Sequence, residues 1–149
     1  MNRPAHILLV EDNRMDVELT LDAFHEARLL NTIQVAPDGQ AALDYLFGRG
    51  KYADRNAYPM PNLVLLDLKL PGVDGFEVLR QIKSTPILKR LPVVILTSSK
   101  EEGDRALSYD QGANSYLVKP VSFDGFLGVV REIDGYWLSL NLAPPEAEK

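Results

Sequence analysis

The chain of 149 residues carries 16 basic and 21 acidic side chains, a formal net charge of −5, and no cysteine. That length supports one globular core without a disulfide or metal staple, and the missing cysteine excludes disulfide scaffolds, thiolate zinc sites, iron–sulfur clusters and thiol nucleophiles. Lys and Arg are scattered among acids, so the surplus of negative charge argues against nucleic acid as a partner.

The first apolar run, Ile7 to Val10, is too short for a signal-peptide core. No later stretch approaches the roughly 18 to 20 residues that would span a bilayer, so a cytoplasmic protein without a membrane partner is expected. Further runs follow at Thr32 to Ala36, Leu63 to Leu66, Val93 to Leu96 and Tyr116 to Val118. All are strand-sized. Most are continuously apolar, as strands covered by helices on both faces should be, whereas Thr32 to Ala36 alternates as an edge strand does. Their starts recur at close to the roughly 30 residues of a βαβ unit.

Between the runs lie helix signals. Asn13 reads as an N-cap with Asp16 three residues on, followed by Val17, Leu21 and Phe24 on one stripe. A second helix opens at Asp38 and presents Ala42, Leu43, Leu46 and Phe47. A third opens at Asp74, with Glu77 in capping-box spacing ahead of Leu79 and Ile82. A fourth opens near Ser99, is interrupted by Gly103 and has a thin apolar stripe, making it the least stable. A fifth runs from about Ser122 to Leu140 with Phe123, Phe126, Leu127, Val130, Ile133, Trp137 and Leu140 inward. Strand and helix alternate five times, which predicts an α/β fold with an open, doubly wound parallel sheet. The connection Gly48 to Asn62 exceeds the usual 2 to 6 residues, and a tolerated insertion and a binding loop are equally open readings of it.

In such a sheet the ligand site lies beyond the carboxyl ends of the strands. There the sequence places Glu11 and Asp12 after the first run, Asp67 after the third, Thr97 and Ser98 after the fourth, and Lys119 with Pro120 after the fifth. Singly, each has a dull explanation as a cap or a surface charge. Together, three clustered carboxylates repel one another unless a cation joins them. Oxygen-only ligands with room for water favour Mg²⁺. An acid beside a metal held by two others is a plausible nucleophile toward phosphorus, since aspartate can form an acyl phosphate. Asp67 has that place, with Lys119 and the Thr97 hydroxyl positioned to meet phosphoryl oxygens.

The segments ILLVED, LVLLDLKLPGVDG, VVILTSS and NSYLVKP, at their spacings between Ala5 and Ile133, resemble the receiver domains of two-component response regulators. The resemblance implies a flavodoxin-like strand order 2-1-3-4-5, Asp67 as phosphoacceptor, and Glu11, Asp12 and Asp67 as ligands of Mg²⁺ (or Mn²⁺), with the Lys69 backbone carbonyl as a further ligand. It also implies Thr97 and Lys119 as phosphoryl ligands, Ser98 as a small residue leaving access to Asp67, Tyr116 as the aromatic switch partner, and a cis Lys119–Pro120 bond. The long insertion and extended last helix look like the regulators that partner bacterial phytochrome histidine kinases, which implies such a sensor kinase as partner. A receiver domain with an extended last helix is expected over residues 1–143, with 144–149 as a frayed tail and no room for an output domain, so signalling would pass by protein contact. Tyr136, Leu138 and Leu142 fall off the main stripe of the last helix and suggest a homodimer seam.

Two other classes stay open at this point. An aspartyl-phosphate phosphatase would share the nucleophilic Asp but would want a second acid where Lys69 stands. A flavodoxin-like binding module would want a glycine- and hydroxyl-rich loop where EDNRMD stands.

Overall fold

The computed structural model describes residues 5–138. Strands β1 (His6–Val10), β2 (Thr32–Ala36), β3 (Leu63–Leu66), β4 (Val93–Thr97) and β5 (Ser115–Val118) alternate with helices α1 (Arg14–Glu26), α2 (Gly39–Phe47), α3 (Gly75–Ser84), α4 (Glu102–Asp110) and α5 (Phe123–Ile133). The strands form one parallel sheet in the order β2-β1-β3-β4-β5, as expected.

Because side chains alternate along a strand, the contiguous apolar runs supply both faces at once. Ile7, Leu9, Leu63, Leu65 and Val94 pack under α1 and α5 with Phe24, Phe126, Val130 and Ile133. Leu8, Val10, Val64, Leu66 and Ile95 pack under α2 and α3 with Leu43, Leu46, Leu79 and Ile82. The central strands β3 and β4 are buried throughout, while the edge strands β2 and β5 are mostly half-buried.

Side-chain oxygens of Asn13, Asp38, Asp74 and Ser122 each accept the backbone N–H three residues on and fix the starts of α1, α2, α3 and α5. The start of α4 departs from expectation. Ser99 does not cap it; the helix opens at Glu102, after Glu101, whose side chain makes no capping bond. The Ser99 hydroxyl donates to Asp104 and accepts the N–H of Glu101, one residue short of the helix. Only Ser108 of α4 is buried.

The segment between α2 and β3 is ordered by its own chemistry. After a short 3-10 turn, Gly50–Ala53, the Arg55 guanidinium donates to the carbonyls of Tyr45, Leu46 and Tyr58. The rings of Tyr45, Tyr52 and Tyr58 meet at centroid distances of 5.0–6.0 Å, and the Tyr45 hydroxyl donates to the Pro59 carbonyl.

The last helix changes its winding before the end that the sequence suggests. Its α-helical part ends at Ile133 and continues as a π-helical turn, Asp134–Leu138, which contains Gly135, a poor α-helix former. Trp137 packs beneath the α1 and α5 face, and Tyr136 meets it edge-on at 5.1 Å. Leu140, Leu142 and the tail lie outside the described residues, as does the Leu138 side chain.

Candidate functional site

Register builds the site. Val10 lies opposite Leu66 on the neighbouring strand, so the residues that follow them, Glu11 and Asp67, emerge side by side between β1 and β3. This is where the connections switch direction, the place for a ligand in an open α/β sheet. The ladder extends one step beyond the strands, through Asp67 N–H to the Val10 carbonyl and Glu11 N–H to the Ala36 carbonyl, each at 3.1 Å. Thr97 lies opposite Val118, and the Lys119 N–H donates to the Thr97 carbonyl at 2.7 Å. The lysine therefore enters the same rim from β5.

Oxygens of Glu11, Asp12 and Asp67 lie within 4.8 Å of one another. Glu11 and Asp67 are buried, while Asp12 is exposed. The Lys119 ammonium, on a side chain only 7% exposed, contacts Glu11 and lies 2.9 Å from both Asp67 Oδ2 and Asp16 Oδ2. One ammonium thus contacts three acids of a group that also includes Asp12, and charge compensation among the described residues is incomplete. Burial is the main reason that the Glu11 carboxyl is pushed up to about 7, against the opposing pull of its bonds to Lys119 and the Asn13 N–H. Burial would lower the Lys119 ammonium, but its hydrogen bonds to Asp67, Glu11 and Asp16 overcome this and hold it above the ordinary lysine range. This donor set, hard oxygens in excess over positive charge with one face open at Asp12, fits a small divalent cation.

The other expected residues surround this centre. Thr97 is fully buried, and its hydroxyl accepts the Ser99 N–H at 3.3 Å. Ser98 is exposed. Tyr116 is half-buried and packs against the α2 and α3 core, with its hydroxyl donating to the Ser99 carbonyl at 3.0 Å. The Lys69 N–H donates to Asp67 Oδ1 at 3.3 Å, while its ammonium pairs with Asp104 Oδ2 at 3.2 Å. That bond holds Lys69 above its ordinary value, and the Ser99 hydroxyl is the leading cause that Asp104 lies below its own. Gly75 abuts the centre from below, since a Cβ there would lie 2.2 Å from the Asp67 carbonyl oxygen.

The cis Lys119–Pro120 bond is corrected. Among the described residues no peptide bond is cis. Trans is the intrinsically favoured X–Pro isomer by about 0.5–1 kcal/mol, and in this form Lys119 already reaches its carboxylates while the Pro120 ring lies against the bare Cα of Gly125. Asp16 is the site residue that sequence reasoning missed. Its place three residues after an N-cap reads as a capping signal, yet its side chain goes to Lys119. Asp16 lies in the first turn of α1, and its partner comes from the far end of β5.

Comparison with known proteins agrees with this geometry. Residues 7–131 match the response regulator receiver domain family. The chain is 44% identical over 144 residues to the "Probable methanogenesis regulatory protein FilR2" of Methanothrix harundinacea, covering 97% of this chain and 90% of that one. It is 40% identical over 143 residues to response regulator Rcp1 of Synechocystis, covering 96% and 95% respectively. In three dimensions it is similar to the phosphorylated cyanobacterial phytochrome response regulator RcpA, with a TM-score of 0.89 and 39% identity over 96% of this chain and all of the other. It also resembles the bacteriophytochrome response regulator RtBRR, with a TM-score of 0.76 and 46% identity over 97% and 87% of the two chains. With the sheet order, the acidic rim and the matched segment in agreement, the chain belongs to the response regulator receiver domain family.

Proposed function

We propose that Asp67 is the phosphoacceptor of a histidine kinase. The observation that carries this reading is the buried Asp67 carboxylate, set between the acids Glu11 and Asp12 and the ammonium of Lys119. The carboxylate oxygen attacks phosphorus as the P–N bond of the kinase phosphohistidine breaks, and that bond's electron pair returns to the imidazole. Water later attacks the aspartyl phosphate, releasing inorganic phosphate and restoring the carboxylate.

Glu11, Asp12 and Asp67, with the Lys69 carbonyl, would hold Mg²⁺. When bound, the ion supplies charge neutralisation to the phosphoryl oxygens, and a Mn²⁺-bound form of Rcp1 has been solved. Lys119 keeps its hold on Asp67 and offers a further hydrogen bond to a phosphoryl oxygen. Thr97 offers its hydroxyl from β4, and exposed Ser98 leaves the approach to Asp67 open. Movement of Thr97 toward the phosphoryl group makes room for Tyr116 to leave the Ser99 carbonyl and turn inward, reshaping the surface of α4, β5 and α5.

The kinship with Rcp1, RcpA and RtBRR supports a phytochrome-type kinase as donor. We further propose output by protein contact, a homodimer and a cytoplasmic setting. No helix among the described residues is long and apolar enough to cross a membrane. Incubation with Mg²⁺ and acetyl phosphate should label the parent and not Asp67→Asn; equal, stable labelling of both would overturn the assignment. Transfer rates from a panel of histidine kinases would test the phytochrome reading, which requires a phytochrome-type donor to be fastest.

A further inference from the structure

Two residues beyond the phosphoacceptor, Lys69 reaches across to α4 rather than to the acids of the pocket. Its ammonium is 3.2 Å from Asp104 Oδ2, and the Ser99 hydroxyl donates to the same oxygen at 2.6 Å. Ser99 Oγ also accepts the Glu101 N–H at 3.3 Å, just before α4, and the Ser99 carbonyl holds the Tyr116 hydroxyl. A single carboxylate therefore ties the loop carrying Asp67 to the start of the helix that has one buried residue, and through Ser99 to the proposed switch tyrosine.

The tie is built to exchange. The Lys69 side chain is 57% exposed and that of Asp104 16% exposed, so solvent screens the pair and breaking it costs little. The lysine is a point charge on a flexible four-carbon stem, anchored by its own N–H to Asp67 Oδ1. A phosphoryl group on Asp67 would bring about two negative charges against the single charge of Asp104.

We propose that Asp104 and the phosphoryl group on Asp67 compete for Lys69, so that Asp104 governs the phosphoryl lifetime and phosphorylation unlatches the start of α4. Asp104 is a positioning residue that acts through Lys69. Water must approach the phosphorus from the open side, where Lys69 and Ser98 are exposed and where Glu11 and Lys119 are not. A lysine drawn onto the phosphoryl oxygens on that side obstructs the water and slows hydrolysis. The competition also runs in reverse, because a partner that draws α4 away from Lys69 strengthens the lysine's hold on the phosphoryl group.

This inference rests on Asp67 being the phosphoacceptor, and the test separates the two. The chain is labelled with acetyl phosphate and Mg²⁺, and the half-life of the label is measured for the parent, Asp104→Asn, Lys69→Met and the double variant, with Asp67→Asn alongside. Asp104→Asn should lengthen the half-life roughly fivefold, equivalent to about 1 kcal/mol. Lys69→Met should shorten it, and adding Asp104→Asn to Lys69→Met should change nothing further. Asp104→Ala checks that the effect follows the lost charge. An unchanged half-life in Asp104→Asn, or an equal change in the Lys69→Met background, would overturn the proposal. If Asp67→Asn remains labelled like the parent, it is the phosphoacceptor assignment that fails.

Discussion

Replacing Arg55 by Ala tests whether the long segment between α2 and β3 is a built part of the fold. Nη1 donates to the carbonyls of Tyr45 at 2.7 Å and Tyr58 at 3.2 Å, and Nη2 to that of Leu46 at 2.9 Å. Tyr45 and Leu46 belong to the last turn of α2, where carbonyls lack i+4 partners within the helix and a positive charge complements the helix dipole, although the Tyr45 carbonyl also accepts the Gly48 N–H at 3.2 Å. Hydrogen bonds to a charged group contribute about 1.5–3 kcal/mol each. Part of that returns when water replaces the guanidinium at this half-buried position, so a loss of roughly 2–3 kcal/mol is expected for the three together. In a chain of this size that lowers Tm by about 5–10 °C. Thermal and urea unfolding followed by circular dichroism would measure it. Arg55→Lys should recover less than half, because an ammonium cannot span three carbonyls as the planar fork does. Labelling of Asp67 should be unaffected, since no contact of Arg55 reaches the pocket. A loss below about 1 kcal/mol would refute the reasoning and return the segment to the status of a passive insertion.

Two further outcomes follow from the site. With Glu11 pushed up to about 7 from an ordinary 4.5, the native state keeps a proton that the unfolded chain has lost. Metal-free stability should therefore fall as pH rises across that window, by up to about 3 kcal/mol, and level off above it. Urea midpoints from pH 4.5 to 8 in chelator should show the decline in the parent and not in Glu11→Gln, and parallel curves would refute it. Gly75→Ala drives a Cβ to 2.2 Å from the Asp67 carbonyl oxygen and 2.6 Å from Leu68 Cα. It should cost about 2–3 kcal/mol and slow acetyl phosphate labelling more than tenfold, whereas Gly103→Ala, whose Cβ meets nothing within 4 Å, should stabilise α4 by up to about 1 kcal/mol. Equal melting temperatures for the two variants would contradict the packing argument.

The sheet was legible because strands buried on both faces have no polar side to keep, so Leu63–Leu66 and Val93–Leu96 stand out as unbroken apolar runs. Helix starts were legible where a side-chain cap exists, at Asn13, Asp38, Asp74 and Ser122. Ser99 misled because its oxygen accepts the N–H of Glu101, ahead of the helix, while its hydrogen goes to the carboxylate of Asp104. Asp16 was hidden for a related reason, since its partner Lys119 is 103 residues away and local pattern gives no sign of such a pairing. The rim residues Glu11, Asp12, Asp67 and Lys119 could be picked out because strand ends are placed by the apolar runs before them. The three tyrosines and Arg55 could not, because a cluster assembled by tertiary contact has no period.

The thin seating of α4 also bears on how receivers of this kind diversify. With Ser108 as its one buried residue and Asp104 as its tie to Lys69, the other positions on the helix can largely be rewritten without touching the sheet or the acidic pocket. Selection can thus change what the helix is recognised by at little cost to folding, and with Asp104 kept, the identity of the audience can evolve while the chemistry of Asp67 stays as it is.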